Sequence, residues 1–213
     1  MGKRIKAILT ILEQEYGGLP PGLIFANPFQ LLIAVILSAQ CTDVRVNQVT
    51  RRLFAKYKEP GDFVSLSQEQ LEAEIRECGL FRNKAKNILK TCYLLEKCYG
   101  GQVPKTRAEL MSLPGVGRKS ANVVLSQAFG QDALAVDTHV FRVSHRLGLA
   151  CGKTPAATEA ELLQIIPQAK WSFAHLWLIH HGRRVCHAQN PECARCLLLE
   201  YCHTGRINKG DKV

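Results

Sequence analysis

The segment 113–119, which reads Leu-Pro-Gly-Val-Gly-Arg-Lys, combines a tight turn with a reactive amine. Two glycines one residue apart, preceded by a proline, predict a turn too sharp for most side chains. A helix predicted over 120–129 follows, and its positive end beside the turn favours a phosphate. This end and Arg118 disfavour the ammonium form of Lys119, and a neutral lysine amine is a Schiff-base nucleophile. A solvated charge or a phosphate contact is the ordinary alternative for this lysine.

Asp137 is the second candidate for chemistry, in the stretch Val-Asp-Thr-His over 136–139. An aspartate at a helix start is commonly an N-cap, and a helix is predicted over 138–147. The helix over 120–129 and a short link could bring Asp137 back toward the glycine turn. A carboxylate that faces a nucleophilic amine can accept its proton or stabilise positive charge that develops on a sugar.

Four cysteines lie close together in one turn-rich loop and predict a metal site: Cys186, Cys193, Cys196 and Cys202. Closing such short loops costs little entropy, so four thiolates can converge without a distant segment. Zinc and an iron–sulfur cluster both accept four thiolates, and one close pair with wider gaps on either side favours a [4Fe–4S] cluster. Four ligands leave no open position, which predicts a structural metal. The neighbouring His187 and His203 are therefore not expected to be ligands.

Composition and charge indicate the partner and the compartment. The 213 residues carry a formal net charge of +10, which favours an anionic partner such as nucleic acid. The most apolar stretch, 31–37, is too short to cross a bilayer, and no secretory signal is visible. We therefore expect a cytoplasmic or nucleoid-associated protein without a membrane partner. The five other cysteines (41, 78, 92, 98 and 151) have no metal spacing, and most are expected to be small core residues.

Helical periodicity and capping residues recur along the chain, so the predicted fold class is all-α. The stretch 133–136 reads as an extended link, and the polar end from Thr204 is expected to fray. One predicted helix begins at Pro28, and three others follow the predicted N-caps Ser67, Thr106 and Thr158. The remaining predicted helices span 43–57, 83–99, 120–129, 138–147 and 171–181.

Together, the glycine turn, the stretch 136–139 and the cysteine quartet resemble the endonuclease III family of the helix-hairpin-helix DNA glycosylase superfamily. Further matches are the stretches 31–34, 37–40, 79–80, 83–85 and 121–124, and the similarity runs in order from 27 to 202. Position 120 is Ser where many members carry Thr, a change that keeps the hydroxyl.

The resemblance implies two helical domains with the active site in the cleft between them. Residues 21–131 would form a six-helix domain that contains the helix-hairpin-helix, over about 106–130. Residues 1–20 and 132–213 would form the iron–sulfur cluster domain, with the cluster loop over 186–202.

The resemblance also implies a bifunctional enzyme that removes oxidised pyrimidines from duplex DNA and nicks the strand at the abasic site. Lys119 would attack the sugar C1′ with help from Asp137, and a Schiff base would permit β-elimination. The damaged nucleotide must first leave the stack, and the residues matching Gln40 and Leu80 fill and wedge the gap. The remaining implied DNA contacts are Leu113, Gly115, Val116, Gly117, Arg118 and His139.

Three alternatives remain open at this point. An adenine-mismatch glycosylase shares the hairpin, the aspartate and the cluster, but that family generally lacks the lysine at position 119 and adds a carboxy-terminal domain. A non-catalytic helix-hairpin-helix protein would only bind phosphate. A redox or electron-transfer role of the cluster could accompany catalysis. For the enzyme itself we expect a monomer.

Overall fold

The structure, a computed structural model, describes residues 2–208, with the backbone alone for 206–208. The chain divides into two compact units, Pro21–Gln131 and Met1–Pro20 with Asp132–Val213. Every regular element of the described residues is helical, so the predicted all-α class is confirmed. The α-helices are α1 (Lys3–Tyr16), α2 (Pro28–Leu37), α3 (Asp43–Lys56), α4 (Pro60–Val64), α5 (Gln68–Ile75), α6 (Phe81–Tyr99), α7 (Arg107–Ser112), α8 (Arg118–Phe129), α9 (Thr138–Leu147), α10 (Pro155–Ile165), α11 (Trp171–Arg184) and α12 (His203–Asn208).

The unit Pro21–Gln131 is built around α2, whose sequence is apolar on all sides. Its residues from Leu31 to Leu37 are all buried, and α3, α6 and α8 pack against it. A helix that is hydrophobic all round is stable only inside a protein core. The long helix α6 in turn packs against α4 and α5. This unit contains seven helices rather than the six that the resemblance implies, and one of them, α4, has only five residues.

The other unit has its own core, in which α11 packs against α1 and α9. One face of α1 supplies the buried residues Ile8, Leu9 and Leu12, and α11 supplies Trp177 and Leu178. Burial of such side chains contributes about 1.5–3 kcal/mol each. This core supports both the start of α9 and the loop that carries the four cysteines.

Several predicted helix starts are confirmed at the level of the capping atoms. Asn27 Oδ1 accepts a hydrogen bond from the Gln30 N–H at 2.9 Å, and Pro28 occupies the first helical position. The Ser67 and Gln70 side chains form the predicted capping box. Each contact satisfies a backbone donor that the first helical turn leaves without a partner.

Two predictions about helices are wrong, and so is the expectation that most of the five other cysteines are core residues, since only Cys78 and Cys92 of these five are buried. Thr158 does not cap a helix, because α10 begins three residues earlier with Thr154 as its cap and Pro155 at its first position. Thr158 instead lies buried inside α10 and donates to the Gly152 carbonyl. The predicted fraying from Thr204 is also wrong up to 208, since α12 forms there and packs against α9. Residues 209–213 lie outside the described part of the chain.

Candidate active site and cysteine cluster

The predicted glycine turn joins α7 and α8, which pack against each other. Thr106 caps α7 by accepting from the Glu109 N–H at 3.3 Å. Leu113 and Val116 bury their side chains, and the Val116 N–H donates to the Leu113 carbonyl at 3.1 Å. These two residues therefore fix the turn from inside, and the Val116 amide is already paired in this structure.

The two glycines of the turn differ in backbone conformation and in the space around them. Gly115 has φ +80, and a Cβ there would stand 3.0 Å from Asn87 Nδ2 and 3.2 Å from Asn87 Cβ. Gly117 has an ordinary φ of −90, and a Cβ there would meet nothing within 4 Å. The protein itself thus requires a glycine at 115 but not at 117. Open space at a helix N-cap suits the close approach of a ligand backbone.

Lys119 is an exposed residue in the first turn of α8, since this helix begins at Arg118, two residues earlier than predicted. The N-cap Gly117 has no side chain to pair with the first-turn N–H groups. The amine of Lys119 is therefore displayed to solvent beside the positive end of a twelve-residue helix.

Asp137 is the N-cap of α9, as its position alone suggests. Its Oδ1 accepts a hydrogen bond from the Val140 N–H at 2.8 Å, and the residue is partly exposed. A carboxylate has about four acceptor sites, so one capping bond leaves capacity for a second partner. Asp137 and Lys119 belong to different units of the structure.

His139 lies one turn from Arg142 on α9. Arg142 Nη2 lies 3.1 Å from His139 Nδ1, and the same arginine donates to the carbonyls of Gly182 and Cys186. Burial lowers the pKa of His139, and Arg142 and Arg183 act in the same direction, against Asp137 and a hydrogen bond involving the Gly182 backbone. Burial and the two arginines therefore favour the neutral ring.

Gln40 and Leu80 share a backbone conformation that few side chains adopt. Among the described residues, the non-glycine positions with positive φ are Gln40 (52°), Leu80 (56°) and Asn190 (49°). Leu80 is also 54 % exposed, so the ordinary interpretation of this leucine as a core residue does not hold. Left-handed backbone at a non-glycine residue costs about 1–2 kcal/mol and is concentrated at functional sites.

The four predicted cysteine ligands line one cavity of about 240 Å³. Its other walls include Leu147, Val185, Pro191 and Leu199. Since one water occupies about 30 Å³ of liquid, this volume suits a group of several atoms better than a single ion. In the described part of the chain, no three His, Cys, Asp or Glu side chains stand close enough to hold one metal ion. The donor set and the size of the cavity fit a [4Fe–4S] cluster.

Hydrogen bonds to the sulfur atoms reinforce this fit. Arg146 Nη1 lies 3.4 Å from Cys186 Sγ, and the Gly205 N–H lies 3.4 Å from Cys202 Sγ. His181 Nε2 lies 3.7 Å from Cys196 Sγ. Donors aimed at thiolate sulfur orient the ligands and disperse their negative charge. Burial raises the pKa of the Cys196 and Cys202 thiols, so binding of a metal must displace their protons.

The wall of this cavity also includes the buried His181, which is paired with the buried Tyr16. Tyr16 Oη lies 3.1 Å from His181 Nδ1. Burial lowers the pKa of His181 to about 4, so its ring is neutral. A neutral ring that directs its Nε2–H toward Cys196 accepts a hydrogen bond from the Tyr16 hydroxyl at Nδ1. The amino-terminal helix α1 thus supports the cysteine loop through Tyr16.

The histidines next to the ligands do not line the cavity, and His187 instead lies 3.0 Å from Glu192. Among the arginines around the loop, Arg195 pairs with Glu192. Arg183 and Arg184 are exposed on the last turn of α11. The side chain of Arg206 lies outside the described residues.

Sequence reasoning missed Arg142, Arg146 and His181. Arg142 and Arg146 stand four residues apart on α9, so one helix face directs both toward the segment 186–188. The spacing of these two arginines, on the helix that follows Asp137, was the signal available in the sequence. His181 left no signal of its own, because its contact with Cys196 depends on how α11 meets the loop.

No helix within residues 2–208 combines the length and the apolar character that crossing a membrane would require.

A family profile described as HhH-GPD superfamily base excision DNA repair protein matches residues 33–168. The chain is 52 % identical to endonuclease III of Bacillus subtilis over 191 residues, which cover 89 % of this chain and 86 % of that protein. It is 45 % identical to endonuclease III of Escherichia coli K12 over 200 residues, 94 % of each chain.

A solved structure has nearly the same fold. It is a trapped covalent intermediate of endonuclease III with DNA, in an estranged-adenine complex, and it superposes with a TM-score of 0.93 at 48 % identity. The match covers 98 % of this chain and all of that one.

Proposed function

Because the chain belongs to the HhH-GPD superfamily of base excision DNA repair proteins, we propose that Lys119 and Asp137 carry its chemistry and that oxidised pyrimidines are its substrates. The protein is a base excision repair DNA glycosylase with AP lyase activity, and its substrate is duplex DNA. The observation that carries the assignment of the nucleophile is the exposed amine of Lys119 in the first turn of α8, directly after the glycine turn.

Lys119 acts on the sugar of a nucleotide that has left the base stack. Its neutral Nζ attacks C1′, the bond from C1′ to the base breaks, and the base departs. Loss of the second amine proton and ring opening give a Schiff base between Nζ and C1′. This Schiff base acidifies the C2′ hydrogens, so β-elimination expels the 3′ phosphate and leaves a nick.

Asp137 assists as a carboxylate near the reacting sugar. It stabilises the positive charge that develops at C1′ as the base leaves, and it accepts a proton from the attacking amine. These roles require an ionised oxygen beside the one that caps α9. The Asp137 side chain is partly exposed, and its only described hydrogen bond uses Oδ1.

The glycine turn holds the DNA backbone. A phosphate oxygen accepts from the N–H groups at Gly117 and the start of α8, where no side-chain cap competes. Since the Val116 N–H already donates to the Leu113 carbonyl, Leu113 and Val116 act by shaping the turn. Gly115 permits that shape through its positive φ. Arg118 adds positive charge next to the phosphate, and His139 is a further contact for the flipped nucleotide.

Gln40 and Leu80 stabilise the opened duplex. Leu80 inserts its exposed side chain between base pairs, and Gln40 fills the space that the flipped nucleotide leaves. A damaged base is more weakly stacked, so this step itself discriminates in favour of lesions.

The cofactor in this proposal is a [4Fe–4S] cluster, and Cys186, Cys193, Cys196 and Cys202 would hold it. When bound, the cluster would supply iron–thiolate bonds that cross-link the loop 186–202. Arg146, His181 and the Gly205 N–H orient the sulfur atoms from outside. Arg184, at the end of α11, and Arg195, in the loop, are both exposed.

We further propose that the enzyme is a cytoplasmic, nucleoid-associated monomer, because its substrate is genomic DNA. The two-domain boundaries and the location of the active site between the domains stay predictions.

Borohydride trapping tests the nucleophile. Duplex DNA with one thymine glycol or abasic site is incubated with the protein in borohydride, which reduces a Schiff base to a stable covalent adduct. The native protein and the control Lys97→Gln, on the exposed end of α6, should both form the adduct. Lys119→Gln should form none while still binding the duplex. An adduct with Lys119→Gln, or none with the native protein, would overturn the assignment.

A further inference from the structure

The buried His181 on α11 contacts the cysteine loop at two places. Its carbonyl accepts from the Cys186 N–H at 2.9 Å, and its ring Nε2 lies 3.7 Å from Cys196 Sγ. The residue is only 4 % exposed, and it lines the same cavity as the four cysteines. His181 therefore connects the last turn of α11 to two of the four proposed ligands.

The second ring nitrogen of His181 faces helix α1. Tyr16 Oη lies 3.1 Å from His181 Nδ1, and the two rings meet edge to face with their centroids 5.9 Å apart. Tyr16 is itself buried, at the last residue of α1. Helix α1 packs against α11, and an ion pair between Glu13 and Lys170 at 2.6 Å also joins the two elements. The packing of these two helices thus fixes the Tyr16 hydroxyl beside the ring.

The chemistry of the sulfur decides the direction of both hydrogen bonds. A cysteine that binds a metal is a thiolate, and a thiolate can only accept. The ring nitrogen that faces Cys196 must therefore carry a hydrogen. In a neutral imidazole the other nitrogen is then an acceptor, so the Tyr16 hydroxyl donates to Nδ1. We call this chain of two hydrogen bonds, from Tyr16 through His181 to Cys196, the relay.

We propose that Tyr16 is a positioning residue for the bound cluster, which holds the His181 N–H donor on the Cys196 thiolate and thereby raises the reduction potential of the cluster. The inference rests on the proposed cofactor, since it requires iron bound to Cys196. It adds a residue of the amino-terminal helix, far along the chain from the cysteine loop, to the groups that determine the properties of the cluster.

The sign of the effect follows from charge. Reduction of a cluster adds negative charge that extends to its thiolate ligands, so hydrogen bonds to the sulfur atoms favour the reduced form. Tyr16 strengthens such a bond, because hydrogen bonds in a chain polarise one another. It also fixes the orientation of the His181 ring, as the outer partners of metal ligands do. Without the hydroxyl, Nδ1 would be buried with no partner, and the ring could turn away from the sulfur.

Voltammetry of the full-length, cluster-loaded protein measures this effect. An electrode supplies one electron to each cluster, no bond in the protein forms or breaks, and the relay keeps both of its protons. Iron analysis and visible absorbance establish equal loading of all variants. Tyr16→Phe removes only the hydroxyl, and we expect a lower midpoint potential, equivalent to a several-fold fall in the ratio of reduced to oxidised cluster at a fixed potential.

The matched control is Tyr93→Phe, at an exposed tyrosine of α6 in the other unit. It makes the same chemical change outside the relay, so its midpoint potential should equal that of the native protein. A shift as large in Tyr93→Phe as in Tyr16→Phe would overturn the inference.

A second variant tests whether Tyr16 acts through the histidine. His181→Leu removes both hydrogen bonds of the relay and should lower the potential at least as far as Tyr16→Phe does. Adding Tyr16→Phe to His181→Leu should then cause no further shift, because residues that act as one unit are not additive. Fully additive shifts would overturn the relay. If His181→Leu held no iron, the single variant Tyr16→Phe would still decide the question.

Two other results separate this inference from the proposed cofactor. If Tyr16→Phe kept its iron and the native potential but melted at a lower temperature, the bond to His181 would only support the fold, and the inference alone would fail. A native protein that contained zinc or no metal would overturn both the proposed cluster and the inference. Borohydride trapping tests Lys119 independently of either outcome.

Discussion

The side chain of Asn87 packs so closely on Gly115 that a Cβ at this glycine would stand 3.0 Å from Asn87 Nδ2. Asn87 lies on α6. Four residues later on the same helix, the Thr91 hydroxyl donates a hydrogen bond to the carbonyl of Pro114 in the turn, at 3.1 Å. Helix α6 therefore fixes the shape of the glycine turn. Gly117, two residues on, has no such neighbour.

This difference predicts opposite effects of two alanine substitutions. Gly117→Ala should leave the melting temperature unchanged or slightly raised, because φ is ordinary and the Cβ meets nothing. It should nevertheless weaken DNA binding, since the methyl group stands where the phosphate approaches. Gly115→Ala should destabilise the fold by about 1–3 kcal/mol through positive φ and contact with Asn87. Thermal unfolding and DNA affinity, each measured for both variants, check this prediction.

The affinities of both variants should be measured at one fixed salt concentration, because the affinity of a cationic protein for DNA depends steeply on salt. If Gly117→Ala bound DNA normally, the open space at this N-cap would have no role in holding the backbone.

Asp137 permits a substitution that separates its chemistry from its capping bond. In Asp137→Asn the amide oxygen can still accept from the Val140 N–H, and asparagine caps helices as well as aspartate does. The charge is lost, so we expect normal stability with base release slowed about 10²–10⁴-fold. Asp137→Ala should lose the cap too, at about 1 kcal/mol, which corresponds to about 2–4 °C in melting temperature. Single-turnover kinetics of base release measure this effect. If Asp137→Asn released the base at the native rate, Asp137 would act only as a helix cap.

The sequence predicted those parts of the fold that depend on neighbours along the chain. The local pattern was sufficient for three helix caps, Asn27, Ser67 and Thr106. Each of these side chains accepts a hydrogen bond from the backbone N–H three residues later in the chain. Thr158 shows the limit of the same rule. Its pattern with Glu161 matched a capping box, but the Glu161 carboxylate instead accepts from the N–H groups of Cys151 and Gly152.

The candidate site was predictable where its residues are adjacent in sequence. The turn 113–119 and the four cysteines are local clusters, and residue type and spacing identified both. The left-handed backbone at Gln40 and Leu80 was not predictable, because both residue types ordinarily avoid it.

Leu80 combines a strained backbone with an exposed apolar side chain, and two substitutions separate these features. Leu80→Gly should raise the free energy of unfolding by about 0.5–1 kcal/mol, because glycine adopts φ 56 without strain. Leu80→Ala keeps the strain and should not stabilise. Both remove the wedge, so both should slow removal of thymine glycol from duplex DNA. If a nicking assay gave the native rate for both variants, Leu80 would have no role in opening the base stack.

The partly buried His180 predicts a loss of stability in mild acid. Burial lowers its pKa below the usual 6.5, and Arg184 and Arg183 act in the same direction, against a hydrogen bond involving Pro20. A depressed pKa means that the folded state binds the proton less readily than the unfolded state. The stabilisation is therefore complete above pH 6.5 and is lost as the pH falls below that value. Melting temperatures from pH 8 to 5 should fall less for His180→Gln than for the native protein; equal slopes would contradict this prediction.

Arg146 ties α9 to the cysteine loop and should govern retention of the cluster. Its Nη1 lies 2.6 Å from the His187 carbonyl and 3.4 Å from Cys186 Sγ, and its Nη2 donates to the Ala188 carbonyl at 2.9 Å. Arg146→Lys keeps the charge, but an ammonium cannot reproduce the planar fork that spans these three acceptors. We expect this variant to lose iron faster under a chelator and to melt at a lower temperature.

The control for this test is Arg51→Lys, at an exposed position of α3 in the other unit. It makes the same chemical change in the unit that does not contain the cysteine loop, so its iron content should match that of the native protein. Iron analysis and the loss of visible absorbance with time measure the effect independently of DNA repair. Equal retention of iron by both variants would mean that the four thiolates hold the cluster without help from Arg146, and that the contact with Cys186 Sγ only positions the loop backbone.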